Sequence, residues 1–375
     1  GEEPITATIH YSSYVFDEDQ IEIEYFKRFV RSQAFIQALQ DQVKGGIKTE
    51  IKPKHFLPLE IHLPDIEIQK DIVSFFKNVE GEIDELGSEI SSQIEYLNKL
   101  RQAVLQEAIE GKLTAEWRKQ NHNLINGDNH ASKLLEKIKA EKERLIKEGK
   151  IKKDKPLPPI TKDEQLFDLP AGWVWCRLED ISNLIGGFAY ESTIFKKDGQ
   201  NQVLRLGNIR PDFIRMNENP VYIGEQQSKE TGDYKLKTDD ILITMTGTRD
   251  KKDYLYTVRV ETNPYKGKYL FLNQRIGVIR LLFVKAHFYN LVLKHQALMD
   301  MIFSTATGSA NQANIGITAL KTWPIPLAPL TEQQAIVERV DKLTGMIDEL
   351  EREISERKVQ AGMLMQSVLR EAFAK

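Results

Sequence analysis

Residues 63–110 align without a gap on residues 327–374, at a constant offset of 264. Ile83-Asp84-Glu85-Leu86 falls on Ile347-Asp348-Glu349-Leu350, and Glu89-Ile90-Ser91 on Glu353-Ile354-Ser355. Val104-Leu105 with Glu107-Ala108 falls on Val368-Leu369 with Glu371-Ala372. Identity and spacing kept together over such a stretch mark a duplication, which constrains the architecture before any single motif does. Each copy is amphipathic at helical spacing. Apolar residues recur at Ile72, Phe76, Val79, Ile83, Leu86, Ile90, Leu97, Leu100 and Val104, and again at Ile336, Val340, Leu343, Ile347, Leu350, Ile354, Leu364 and Val368. The alternation of three and four is the heptad seam of a coiled coil. It predicts an interface in which Ile72, Phe76, Val79, Ile83, Leu86, Ile90 and Leu97 meet Ile336, Val340, Leu343, Ile347, Leu350, Ile354 and Leu364.

Gln93 and Arg357 interrupt the seam at equivalent positions, which predicts one polar layer that fixes register. Thr331 and Gln334 have the spacing of an N-terminal capping box, placing the start of the second helix just after Pro329. Forty-odd helical residues reach roughly 65 Å, longer than a globular domain needs. Heptads alone indicate a dimerisation coiled coil. Two copies in one chain, separated by a large globular segment, predict antiparallel pairing inside one molecule.

Residues 168–326 form that segment, opening Asp168-Leu169-Pro170-Ala171-Gly172-Trp173. Strands are predicted over Val203–Leu206, Val221–Ile223, Asp240–Thr246, Leu255–Val260 and Arg275–Leu281. Turn signals lie at Gly186-Gly187, Asp198-Gly199 and Asn263-Pro264. A helical stretch, Ala286–Phe303, leads to the polar loop Thr307–Asn314 and the extended exit Trp323-Pro324-Ile325-Pro326. Residues 1–62 read as the tail of a similar domain: a helical stretch Ile23–Val43, then Lys44-Gly45-Gly46-Ile47, with Ile51 on Ile315 and Phe56 on Leu320 at the same offset. The expected order is therefore a remnant of a first domain (1–62), a first long helix (63–112), a linker with a short charged helix at Ser132–Lys147 (113–167), a complete β-rich domain (168–326) and a second long helix (327–375).

Composition narrows the class without deciding it. The 375 residues are 41% hydrophobic and 29% charged, which supports a sizeable core. One cysteine, Cys176, excludes a disulfide framework and a cysteine-based zinc site. No uncharged apolar run approaches the length of a membrane span, and the opening GEEPIT lacks the basic and apolar regions of a signal peptide. A cytoplasmic location without membrane partners is expected. The formal net charge is −3, yet Met245–Lys285 holds nine Lys or Arg against three Asp or Glu, and Lys133–Lys155 ten against five. Phosphate contacts are local, so these stretches matter more than the sum.

Together these pieces resemble the specificity subunits of type I restriction-modification enzymes. Carrying the resemblance are Leu169-Pro170-Ala171-Gly172-Trp173 at a domain start, Pro324-Ile325-Pro326-Leu327 before a helix, Glu332-Gln333-Gln334-Ala335-Ile336-Val337, the Ile-Asp-Glu-Leu repeats, and Gly111-Lys112-Leu113-Thr114-Ala115-Glu116-Trp117-Arg118. It implies an α+β fold, with β-rich target-recognition domains linked by two long antiparallel coiled-coil helices. It also implies a non-catalytic reader of part of a bipartite target in double-stranded DNA. Methyltransferase subunits would dock on the chain and restriction/translocase subunits would join the assembly. S-adenosylmethionine, ATP and Mg would belong to those partners, with no cofactor in this chain. The assembled complex would be an adenine-specific DNA methyltransferase and ATP-dependent endonuclease.

Reading bases takes donors and acceptors on loops: Arg for guanine, Asn or Gln for adenine, Lys and Arg for phosphates. The candidates are Tyr190, Arg205, Asn208, Arg210, Thr248, Arg249, Lys251, Lys252, Asn311 and Gln312. Catalytic and metal residues are expected to be absent. Asn263-Pro264-Tyr265 falls short of an amino-methyltransferase motif. Pro64-Asp65-Ile66-Glu67-Ile68-Gln69-Lys70 imitates a nuclease core, but its second copy replaces Asp65 and Glu67 by Pro329 and Thr331. The seven histidines show no metal-ligand spacing, and no phosphate-binding Gly-rich loop is present. The competing reading is a coiled-coil scaffold or oligomerisation protein without sequence-specific readout.

Overall fold

The structure, a computed structural model, describes residues 14–42, 53, 57–261, 267–309 and 311–372. Lys44–Ile47, Ile51, Phe56 and the Asn263-Pro264-Tyr265 turn lie outside the described residues. The helices are α1 (Ile23–Phe29), α2 (Gln33–Gln42), α3 (Ile66–Ile109), α4 (Ala115–Gln120), α5 (Ala131–Lys147), α6 (Leu178–Ile181), α7 (Glu225–Glu230), α8 (Ala286–Val292), α9 (Gln296–Phe303), α10 (Ile317–Lys321) and α11 (Leu330–Ala372). The strands are β1 (Val174–Arg177), β2 (Ser182–Gly186), β3 (Asn201–Leu204), β4 (Ile209–Arg210), β5 (Phe213–Ile214), β6 (Val221–Ile223), β7 (Ile241–Thr244), β8 (Thr246–Thr248), β9 (Thr257–Arg259), β10 (Tyr269–Leu272), β11 (Ile276–Leu281), β12 (Gln312–Asn314) and β13 (Pro324–Leu327). No helix among the described residues is long and apolar enough to cross a membrane. The chain divides into two units, residues 1–99 with 347–375 and residues 100–346.

In the first unit, Tyr25, Val73 and Phe76 form a buried cluster that takes in Phe29, Leu63, Ile72 and Val368. Val368 is near the end of α11 and Phe76 near the start of α3, so the long helices run antiparallel here. From that contact, seven-residue steps set Ile83 against Ala361, Ile90 against Ile354 and Leu97 against Ile347. Ile90 and Ile354 are the same position of the two copies, and both are buried. Ile83 and Ala361, where a methyl faces a large side chain, are each half-buried. The row at seven-residue spacing is thus the best covered, while Ile72, Val79 and Leu86 of the neighbouring row are half-buried. Leu350 and Leu364, expected in the interface, are 44% and 53% exposed, because two helices alone cover one row and leave the next at the rim. The expected polar layer also gives way: the Gln93 amide donates to Glu89 on its own helix at 2.9 Å, and Arg357 is exposed.

The helical stretch expected from Ile23 is two helices. Ser32 starts the second, its hydroxyl accepting from Phe35 N at 3.2 Å, since a serine side chain satisfies a free N–H at a helix start. The stretch Ala286–Phe303 likewise breaks at Leu293–His295, where His295 turns extended and caps α9 with its ring edge-on to Phe167. Apolar periodicity runs through both breaks and does not register them. One device recurs in both copies. Gln69 and its repeat equivalent Gln333 are each fully buried. Gln69 donates to Pro64 O at 2.8 Å and accepts from Glu22 N, the N-cap of α1, at 3.0 Å. Gln333 donates to Ala328 O and accepts from Lys285 N, the N-cap of α8, both at 2.9 Å. Each glutamine ties the start of a long helix to the helix pair that precedes it in sequence.

The second unit carries the β-rich part. An antiparallel sheet runs β2-β11-β7-β9, and a second runs β10-β3-β6 with β10 and β3 parallel. Leu204, Leu242, Val258, Leu270, Leu272, Ile276 and Val278 belong to one core cluster. Val203 and Phe271, on the opposite face of their strands, join Tyr190 and Ile223 in another. β3 is therefore buried on both faces, which explains its unbroken burial. The strand over Val221–Ile223 matches its expected span, β3 keeps its expected length but starts two residues earlier, and β7, β9 and β11 are shorter than expected. Leu255, for instance, is buried at φ 61°, a left-handed backbone that delays β9 to Thr257. β1 pairs antiparallel with β13, Val174 opposite Leu327, so the first and last strands of the domain close on each other.

Three of the family-like motifs meet on one carboxylate. Glu332, fully buried, accepts from Trp173 Nε1 at 2.8 Å, Thr114 Oγ1 at 2.7 Å and Arg118 Nη1 at 2.5 Å. Gly111, at φ 71°, leaves only 2.6 Å between an added Cβ and Pro170, so glycine alone fits where α3 ends against Leu169–Trp173. Thr331 is inside α11 and donates to Leu124 O at 3.0 Å, while Gln334 donates to Glu338; the expected capping box is not made. The charged helix α5 is more than a solvated face, since Lys142 binds Glu179 Oε1 at 2.8 Å and Ser182 O at 2.7 Å.

Candidate nucleic-acid interface

Strand direction gathers the sequence-predicted loops. β10 and β3 are parallel, so Leu204-Arg205 and Leu272-Asn273 leave the same edge, joined by Asn273 N donating to Leu204 O at 3.1 Å. β11 begins at that edge and is antiparallel to β7 and β2, with Ile276 opposite Thr244 and Gly277 opposite Gly186. The ends of β7 and β2 therefore arrive there too. β8 continues from β7 and pairs with β12, Thr248 opposite Gln312, which sets Thr248–Lys252 beside Asn311-Gln312. One end of the domain thus carries Gly186–Tyr190, Arg205–Arg210, Thr246–Lys252, Asn273–Arg275 and Asn311-Gln312.

Within this end the candidates divide. Asn311, Gln312, Lys251 and Lys252 are exposed. Lys252 reaches Asp300 at 3.2 Å and lies over the Phe303 ring at 4.9 Å. Thr248 and Arg249 are half-buried. Asp253 accepts from Thr248 N at 2.5 Å and folds the loop back, while Arg249 donates to Ala306 O at 3.3 Å. Arg205 and Arg210 are half-buried and donate to carbonyls of Asn219 at 2.6 Å and Ile209 at 2.8 Å.

Two candidates have their polar groups engaged inside the fold, which corrects their place among the DNA-binding residues. Asn208, 2% exposed, accepts from Arg205 N at 2.8 Å and donates to Arg215 O and Glu218 O at 2.9 and 2.8 Å. Its amide holds the turn after β3 and has no donor left for a base. Tyr190, 8% exposed, donates to Thr231 Oγ1 at 3.0 Å, and burial pushes its phenol up. Sequence reasoning saw a polar group on a loop in each case and could not see the core beneath it. Gln274 and Arg275, both exposed, are not among the sequence candidates: Arg275 opens a predicted strand and Gln274 immediately precedes it. The local basic excess was the one signal pointing to them. Among the described residues, no group of three or more His, Cys, Asp or Glu could hold a metal ion.

A duplicated long helix, a β-rich domain whose loops collect at one end, and motifs converging on Glu332 define a class of protein in which a β-rich domain is joined to long helices. Residues 170–357 match the type I restriction modification DNA specificity domain, and the chain belongs to that family. It is 29% identical over 319 residues to the type I restriction enzyme EcoAI specificity subunit of Escherichia coli, covering 80% of this chain and 50% of that one. It is 30% identical to the EcoEI specificity subunit of Escherichia coli, covering 68% of this chain and 41% of that one. The chain therefore spans about half the length of these relatives or less. Among solved structures, the HsdS subunit from Thermoanaerobacter tengcongensis superposes with a TM-score of 0.53 at 16% identity, over 95% of this chain and 71% of that one. A chain from a type I R-M system structure gives 0.59 at 16% identity, over 95% and 72%. At that identity the likeness concerns the fold, α+β with long helices.

Proposed function

We propose that this chain is a sequence-specific DNA-recognition subunit of a type I restriction-modification complex, reading part of a bipartite target. The observation that carries this is the convergence of the Thr246–Lys252 loop, the Asn273–Arg275 turn and Asn311-Gln312 on one end of a domain of this family. Cations and amides are collected there in a stretch far more basic than the chain average, as phosphate and base contacts require. Residues 14–42, with a helix pair clamped by Gln69 as α8 and α9 are clamped by Gln333, are the tail of a first recognition domain. The paired helices space the recognition units and dock methyltransferase subunits, whose pockets take the flipped adenine. S-adenosylmethionine is bound by those subunits, and ATP and Mg by restriction/translocase subunits. The chain itself does no chemistry, and the assembly works in the cytoplasm.

The test is duplex binding by the chain and by Arg249→Ala combined with Lys251→Ala and Lys252→Ala. The triple variant should bind more weakly, with a flatter dependence on salt. Unchanged affinity and slope remove this loop from the interface. Equal binding to target and random duplexes by the parent chain favours the scaffold reading instead.

A further inference from the structure

The loops at the DNA-facing end differ in what they leave free. Arg205, Arg210 and Arg249 each donate to a carbonyl of the fold, and Lys252 is held by Asp300. Gln274 and Arg275 are exposed, and neither side chain makes a hydrogen bond, ion pair or ring contact with the described residues. The turn that carries them is nevertheless tied down at Asn273, Arg275 and Ile276. Ile276 N closes the turn onto Asn273 O at 3.1 Å, Asn273 N donates to Leu204 O at 3.1 Å, and Met245 N donates to Arg275 O at 3.1 Å. Gly187 N donates to Ile276 O at 3.0 Å, and a Cβ on Gly187 would stand 2.0 Å from Asn273 O. The turn is thus wedged between the exits of β3, β7 and β2. It offers an amide and a guanidinium on consecutive residues, unpartnered among the described residues, on a turn anchored at both ends.

That combination suits base reading better than phosphate holding. A phosphate needs one positive charge, which a mobile lysine such as the exposed Lys251 supplies. A base edge needs paired donors and acceptors at fixed geometry: guanidinium to guanine O6 and N7, carboxamide to adenine N6 and N7. Resting on the DNA-reading function above, we propose that Arg275 reads a guanine and Gln274 an adjacent adenine, making the Asn273–Arg275 turn a specificity determinant of this recognition domain.

The test selects bound sequences from a randomised duplex library with the full chain assembled with a modification subunit, comparing Arg275→Ala, Arg275→Lys and Gln274→Ala with the parent. The parent should select a half-site containing a guanine next to an adenine. Arg275→Ala and Arg275→Lys should both lose about tenfold to hundredfold discrimination at that guanine alone, with the salt slope unchanged. Gln274→Ala should relax the neighbouring adenine. If Arg275→Lys keeps full discrimination, or Arg275→Ala lowers the salt slope by about one with every base preference intact, Arg275 is a phosphate contact and the proposal fails. A parent that selects no sequence overturns DNA reading itself, a different failure from a motif that survives all three substitutions.

Discussion

Glu332 shows how one buried side chain turns scattered motifs into a joint. It faces Arg118, 13% exposed, and is itself fully covered. Replacing a buried ion-pair member leaves the other charge without compensation, which costs about 3–5 kcal/mol. Glu332→Gln is therefore expected to lower the unfolding free energy measured by urea titration by an amount of that order, and Thr331→Ala, one residue away and exposed, to change it little. Arg177 does a similar job for the proline-rich linker, donating to Pro158 O, Pro159 O and Thr322 O as well as to Glu164. The guanidinium holds the Glu164 carboxyl at about 2, below its ordinary 4.5. A carboxylate lowered on folding adds stability above its ordinary value and loses it as pH falls through its folded value. Protection factors for hydrogen exchange in residues 156–164, relative to the unstructured rate at each pH, should thus fall between pH 4.5 and about 2, and Glu164→Gln should show the lower protection already at neutral pH.

Among the elements, the long helices were the most legible and still held the clearest correction. Their existence, span and duplication follow from an apolar period that survives any tertiary context. Which of two apolar rows is covered depends on what else packs on the rod, and that information is not in the period. The seven-residue row through Phe76, Ile90, Ile347 and Ile354 is buried, while Leu350 and Leu364 lie at the rim. Ile354→Ala is expected to cost about 2–5 kcal/mol in equilibrium unfolding, and Leu364→Ala below about 1 kcal/mol. Equal losses would mean that both rows are covered. Strand spans were legible to within a few residues, but the breaks at Ser32 and His295 were not, since each rests on a side-chain contact the pattern does not carry.

At the scale of the molecule, a chain of net charge −3 is expected to bind DNA through a local field that opposes its total. Affinity for a random duplex should fall steeply between about 50 and 200 mM salt, as counterion release from several phosphates requires. A chain governed by its net charge would bind better as salt rises, and a titration of binding against salt separates the two. The candidate interface was legible as a set of loops but not as a ranking. Asn208 and Tyr190 looked like readers and are held inside the fold, whereas Arg275 looked like the first residue of a strand, with Gln274 just before it, and both stand free at its mouth.

By itself the sequence determined what depends on residue type and spacing along the chain: the duplicated helices, the β-rich segment between them, and the family those motifs indicate. Tertiary structure alone decided which polar groups have partners and which do not. Partners come from residues far apart in the chain, as when Glu332 meets Thr114, Arg118 and Trp173, and a linear pattern does not encode where a strand's end meets another.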